Sequence, residues 1–357
     1  LVENIFNPPD YTSAMNLAAL VSDIRNYPGV TRKRTISDVI DFFPVLPADN
    51  IIASYGEDAA AIAYNDDVLL LAADGIMESL MRTNPYCAGY YAVLVNINDI
   101  SAMGGIPLAM VDIVSMKDEK VCAQVMTGVE EAVSKFGVPI VGGHTHPDCA
   151  YDAIDIAILG IARKDEVICS HTAKAGDDII LAMDLDGFFP SALPYAWDTT
   201  SRKGSDICRR QVLVMNEIGK KHLVHSGKDI SNPGSLGTLG MLLETSGKGG
   251  EVELEKIPTP SGVDFSQWLK AYQGCGFVVT NPPANSSEVI EMFEQVDMSA
   301  AVVGKVNDSR KLVLRQGNES ATLFDFTSDK ITGCDPSKVP LSGSLRQKVS
   351  KSVKKRC

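Results

Sequence analysis

The chain has 357 residues, 45% of them hydrophobic, and carries 45 acidic against 33 basic residues for a formal net charge of −12. A single core stops growing at roughly 250–300 residues, so two domains are expected. The acidic balance excludes a nucleic-acid partner, whose binding rests on Lys and Arg neutralising phosphate, yet leaves a nucleotide open, because magnesium can carry phosphate charge to an acidic pocket. The eight cysteines form no CxxC pair, which suits a reducing compartment and a cytoplasmic location. No apolar run reaches the roughly 20 residues needed to cross a bilayer, so no membrane partner is expected. The first residues, with Glu3, Asn4, Pro8, Pro9 and Asp10, lack a signal-peptide pattern.

Residues 1–50 read as an appended helical extension. Ser13 to Asn26 has helical spacing at Leu17, Leu20, Val21 and Ile24, with a stop expected at Pro28-Gly29. The basic run Arg32-Lys33-Arg34 reads as a solvated loop or, in the sharper alternative, as a segment that closes over a triphosphate. Thr35 opens a short helix that Pro44 closes.

From Ile51 the pattern turns to strands. Ile51 to Tyr55 leads into Gly56-Glu57-Asp58, Ala59 to Ala63 follows, and Val68 to Ala73 ends in Asp74-Gly75. An Asp beside a Gly is usually a turn residue, but ligand sites also favour strand ends. Val93, Ile97, Ile100 and Met103 then give a buried helical face, interrupted by Asn96, Asn98 and Asp99. Such residues prefer caps, so a polar cluster inside a buried helix needs a partner. Gly104-Gly105 ends this helix and Pro107 prevents its resumption.

A strand over 108–115 and a helix over 118–135, closed by Gly137, come next. Val138 to Val141 is a buried strand running into Gly142-Gly143-His144-Thr145, where paired glycines let backbone approach an anion. Ala153 to Ile161 is a further strand, and the composition turns polar around Ala162 to Gly176. This divides the chain into an extension at 1–50, a first domain at 51–163, an α/β domain at 164–325 and a basic mobile tail at 326–357.

In the second domain, strands are expected over 178–183, 252–257, 275–280 and 300–304. Helices are expected over 205–224, 236–245, 265–272 and 286–294. Asp229-Ile230-Ser231-Asn232-Pro233-Gly234 forms a polar turn.

The stretches Gly56-Glu57-Asp58-Ala59-Ala60, Asp74-Gly75, Asn96 to Pro107, Gly142-Gly143-His144-Thr145 and Asp229-Ile230-Ser231 come in the order of a known superfamily. It contains aminoimidazole ribonucleotide synthase, selenophosphate synthetase, thiamin-monophosphate kinase and a hydrogenase-maturation dehydratase. The chain resembles it over residues 50–320, most specifically in Asn96, Asp99, Ala102, Met103, Gly104, Gly105 and Pro107. Within it, Pro28 to Lys33 and Gly237 to Leu243 look most like the archaeal methanogenesis marker proteins related to aminoimidazole ribonucleotide synthase.

The resemblance implies a two-domain α/β fold whose N-terminal strands form a barrel across a homodimer. It implies ATP and Mg2+ as cofactors, the nucleotide lying between the domains. Asp58, Asp74, Asp99 and Asp229 match the magnesium carboxylates; Asn96, Gly142, Gly143 and Thr145 match the nucleotide-binding positions. The activity implied is phosphoryl transfer that activates a small-molecule substrate. The alternative is a non-catalytic nucleotide-binding factor in assembly or maturation.

Departures narrow the class. His144 follows the double glycine where the thiamin branch has Asp, and Asn232 replaces its second acid. Gly274-Cys275-Gly276-Phe277-Val278 replaces that branch's acidic stretch, and no cysteine precedes Gly56 as the selenide branch requires. The terminal Cys357 follows Lys354-Lys355-Arg356 and lacks the context of the modified cysteine in the hydrogenase branch. His144, His146 and Cys149 also have ligand types that suit a transition metal.

Overall fold

The computed structural model describes residues 16–43, 50–272 and 274–334. Residues 335–357, with most of the expected tail and Cys357, lie outside the described residues, as does the expected helix start at Ser13.

In chain order the elements begin with α1 (Leu17–Asn26), α2 (Pro28–Thr31), α3 (Thr35–Ile40), β1 (Ile51–Ala53), β2 (Ala60–Tyr64), β3 (Asp67–Gly75), α4 (Glu78–Thr83), α5 (Pro85–Ala102), β4 (Ile106–Ser115), α6 (Glu119–Phe136), β5 (Ile140–His146) and β6 (Ala153–Arg163). They continue with β7 (Asp178–Met183), α7 (Ser205–Lys220), β8 (Ser226–Asp229), α8 (Gly234–Ser246), β9 (Gly249–Glu253), α9 (Phe265–Trp268), β10 (Gly276–Asn281), α10 (Ser286–Glu294), β11 (Ser299–Asn307), β12 (Lys311–Gln316) and β13 (Glu319–Asp325).

These elements form two compact units interleaved along the sequence. One takes in the described residues of Ser37–Ser170, Ser201–His222 and Cys334–Cys357; the other those of Leu1–Ile36, His171–Thr200 and Leu223–Gly333.

The first unit is built on an open six-stranded sheet, ordered β1-β2-β3-β6-β4-β5. All neighbours are antiparallel except β4 and β5. One face is covered by α5, which buries Tyr90, Tyr91, Leu94, Ile97 and Ile100. Helix α6 crosses α5 with backbones in contact. A Cβ on Gly89 would sit 1.9 Å from the Val125 carbonyl oxygen, and one on Gly128 would sit 2.0 Å from that of Tyr86, so only glycine fits at either position. Helix α7 joins the same side: Ser101 Oγ donates to the Val212 carbonyl, and Asn216 Nδ2 donates to the Gly104 carbonyl at 2.7 Å. The other face leaves Leu71, Leu108, Val111, Ile113 and Leu159 exposed.

The second unit holds a seven-stranded sheet, ordered β13-β12-β9-β11-β7-β10-β8. Strands β7 and β10 are buried at every residue. Helix α1 belongs here: Leu17, Leu20 and Ile24 enter this core, and Arg25 pairs with Asp329 at 2.7 Å. Pro28-Gly29 does not leave helical structure as expected. Proline is tolerated at the first helical position, so α2 restarts there, and the basic run continues as a 3-10 turn, Arg32–Arg34. The hairpin of β12 and β13 has no counterpart among the expected elements.

Candidate functional site

Helix α5 positions the acids of the first unit. It ends where its glycines require: Gly104 has φ +72, its amide donates to the Ser101 carbonyl at 2.8 Å, and Gly105 closes on Ile100 at 3.0 Å. Asp99 is half-buried one turn before this end. Four residues on, Met103 accepts the Ala59 amide at its sulfur, 3.1 Å away, docking the loop that carries Asp58. Gly56 turns that loop at φ +100, and Glu57 anchors it by accepting the Ser170 amide at 2.6 Å. The carboxylate oxygens of Asp58 and Asp99 come within 4.8 Å of each other. Like charges this close disfavour joint ionisation unless a cation lies between them.

Asn96 is fully buried on the same helix, three residues before Asp99. Its amide nitrogen donates to the Ala92 carbonyl at 2.8 Å and reaches the Asp74 carbonyl at 3.5 Å, while its Oδ1 is buried with no hydrogen-bond partner. The polar cluster thus finds its partner only in part. Asp74 ends β3 exposed, accepting the Gly75 amide at 2.9 Å, and its carboxylate stands outside the Asp58–Asp99 pairing.

Gly142, Gly143 and Thr145 do not form a loop after a strand. They lie within β5 itself, an edge strand, in parallel register with Val111, Asp112 and Val114. Glycines carry no side chain to extend an apolar pattern, so the strand looked shorter in sequence than it is. The Asp112 carboxylate lies over Gly143, where a Cβ would be 1.8 Å from Oδ1. Burial raises its pKa. Asp155 covers Gly75 in the same way, at 2.0 Å. Asp112 and Asp155 were not singled out from sequence, and Glu57 was read only as part of the Gly56–Ala60 stretch. For Asp112 and Asp155 the signal is an acid pairing with a glycine across strands, which needs the register.

His144 and His146 pack edge to face with ring centroids 4.5 Å apart. Among the described residues, neither joins Cys149 in a cluster of three ligand groups, so the expected transition-metal site is not assembled. The thiol of Cys169 is held protonated by burial first and by nearby Glu57 second. In the second unit, Asp229 is buried at the end of β8, in register with Phe277.

The family of AIR synthase related proteins matches here in two parts, its N-terminal domain at residues 56–163 and its C-terminal domain at residues 205–317. An uncharacterized protein of Methanocaldococcus jannaschii is 46% identical over 324 residues, covering 90% of this chain and all of that one. The chain belongs to the AIR synthase-related family. An uncharacterized protein of Synechocystis is 36% identical over 278 residues, 78% of this chain and 86% of that one. The fold of this family member matches Thermotoga maritima PurL complexed with ADP at a TM-score of 0.72 and 16% identity, over 89% of this chain and 52% of that one. The chain thus spans about half the length of that structure. Among the described residues no helix is long and apolar enough to cross a membrane.

Proposed function

We propose that this family member binds ATP with Mg2+ and activates a small-molecule substrate by phosphoryl transfer. The observation that carries the reading is the Asp58–Asp99 pair, within 4.8 Å, one turn from the unsatisfied Oδ1 of Asn96. All donors there are oxygens, the set magnesium prefers, and magnesium commonly takes one or two carboxylates plus phosphate oxygens. When bound, magnesium supplies charge neutralisation at the phosphates. Asp58 and Asp99 hold it, Asp74 is the further acid of the same unit, and Asp229 is assigned the same role in the other. Asn96 orients that edge through the Asp74 carbonyl. Gly142, Gly143 and Thr145 are assigned to the phosphates, with the Asp112 carboxylate over Gly143 keeping anions away until a cation is present.

The exposed apolar face at Leu71, Leu108, Val111, Ile113 and Leu159 supports a homodimer in which two such sheets close into a barrel. A second reading, nucleotide binding in the service of assembling another protein, draws on Asn232 and the 274–278 stretch, where acids of the thiamin branch are missing. The test is a melting curve with and without saturating Mg-ATP. A hundredfold excess over Kd should add about 2.7 kcal/mol of stability. No shift at millimolar Mg-ATP would overturn the proposal. ADP release on adding one metabolite of a panel would select the enzyme over the assembly factor.

A further inference from the structure

The second unit also holds a histidine set against a buried carboxylate. Asp177 precedes β7 and His225 precedes β8, the two strands that flank β10 in the seven-stranded sheet. His225 Nδ1 lies 2.9 and 3.0 Å from the two carboxylate oxygens of Asp177. Asp177 Oδ2 also accepts the Thr280 hydroxyl at 3.2 Å and the Lys174 amide at 2.9 Å. The Thr280 and Ser226 hydroxyls meet at 2.8 Å. The backbone is held as well: the His225 amide donates to the Thr280 carbonyl at 2.8 Å, and the Thr172 hydroxyl donates to the His225 carbonyl.

An ionised carboxylate accepts and never donates, so the proton of the shared hydrogen bond sits on Nδ1. That fixes the tautomer and leaves the ring's lone pair on Nε2. The Asp177 side chain is 4% exposed and the His225 side chain 27%. Among the described residues Nε2 has no hydrogen-bond partner, and it is not a buried atom. The lone pair therefore faces water while the acid that orients the ring stays out of it. Lys174, exposed and in no ion pair among the described residues, lies on the turn that binds Asp177 and puts a cation on the same loop. His225 and Asp229 stand at opposite ends of β8, about 13 Å apart along the strand, so they serve different ligands.

We propose that His225 is a phosphoryl-accepting residue, modified at Nε2 by a small acyl phosphate. The Nε2 lone pair forms the N–P bond, the P–O bond to the acyl group breaks, and the carboxylate leaves with that electron pair. Nδ1 keeps its proton. The ring gains positive charge as the bond forms, and the Asp177 carboxylate beside Nδ1 stabilises it. Phosphoryl transfer passes through a loose transition state that asks chiefly for a positioned nucleophile and nearby positive charge.

The full chain, free of nucleotide and metal, is incubated with acetyl phosphate at about pH 8, above the ordinary imidazole range. Its peptides are mapped by mass spectrometry under conditions that preserve acid-labile phosphate. The other four of the five histidines, His144, His146, His171 and His222, are internal controls. His225 should be labelled at least tenfold faster than each of them. D177N retains an acceptor for the Nδ1 proton and removes the charge, so labelling of His225 should fall about tenfold with the controls unchanged. Labelling of His225 no faster than the controls overturns the proposal, and so does undiminished labelling in a folded D177N. Should D177N fail to fold, the wild-type comparison decides alone. Neither result depends on Mg-ATP binding, which the melting curve tests separately.

Discussion

The two sheets of this protein solve the same problem differently. The seven-stranded sheet buries β7 and β10 at every residue, and its core runs from Leu17 to Ile331 within one unit. The six-stranded sheet is covered on one face by α5 and leaves Val111 44% and Ile113 47% exposed on the other. A sheet with one apolar face bare is stable only at the expense of hydrated hydrocarbon. The first arrangement completes itself; the second asks for a partner. Of the acids assigned to the nucleotide, Asp58 lies in the loop before β2, Asp74 near the end of β3 and Asp99 on α5, whereas Asp229 ends β8, an edge strand of the complete sheet.

Four changes would break or sharpen this contrast. Phe277→Ala removes a ring stacked on Phe293 at 6.1 Å inside the complete unit, and should cost about 3–5 kcal/mol. Chemical denaturation should show that loss to be independent of protein concentration; a concentration-dependent loss would place association inside this unit. V111E combined with L159E puts like charges on the bare face. It should weaken self-association on the order of a hundredfold, read by sedimentation, and leave the monomer folded. An unchanged sedimentation profile would assign the face to something other than a second copy.

Asp99→Asn should remove most of the Mg-ATP stabilisation, about 2–3 kcal/mol, without lowering the melting temperature of the ligand-free protein. Relief of the Asp58 contact should even raise that temperature slightly. A full Mg-ATP shift in this variant would separate the acid pair from the nucleotide.

The smallest effect concerns α1. The Lys270 hydrogen bond holds the Asp23 carboxyl below its usual value, and that of Arg25 does the same for Asp329. Groups with depressed folded pKa values contribute stability above their ordinary value of 3.8 and lose it as pH falls through the folded one. Both sites are partly exposed, so their joint effect should be under about 1 kcal/mol. Hydrogen exchange of α1 should rise below pH 3.8 in wild type. It should rise already at neutral pH in Arg25→Ala.

Much of the site's local structure was legible. The apolar spacing through Val93, Ile97, Ile100 and Met103 marked the buried face, and Gly104-Gly105 marked its end, because helical period and left-handed backbone are properties of neighbouring residues. The strand 178–183 and the helix 286–294 were legible for the same reason. Gly142 and Gly143 were misplaced in a loop, since a strand held by its β4 register needs no side-chain pattern of its own.

Sequence alone thus determined the order of the elements, the acids at their ends and the acidic charge that calls for a cation. Tertiary structure decided that α1 docks on the late strands while α7 joins the early helices, that Asp58 meets Asp99 in a cluster that does not include Asp74, and that both tryptophans line one pocket. Those outcomes depend on contacts between residues far apart in the chain, and no local period encodes them.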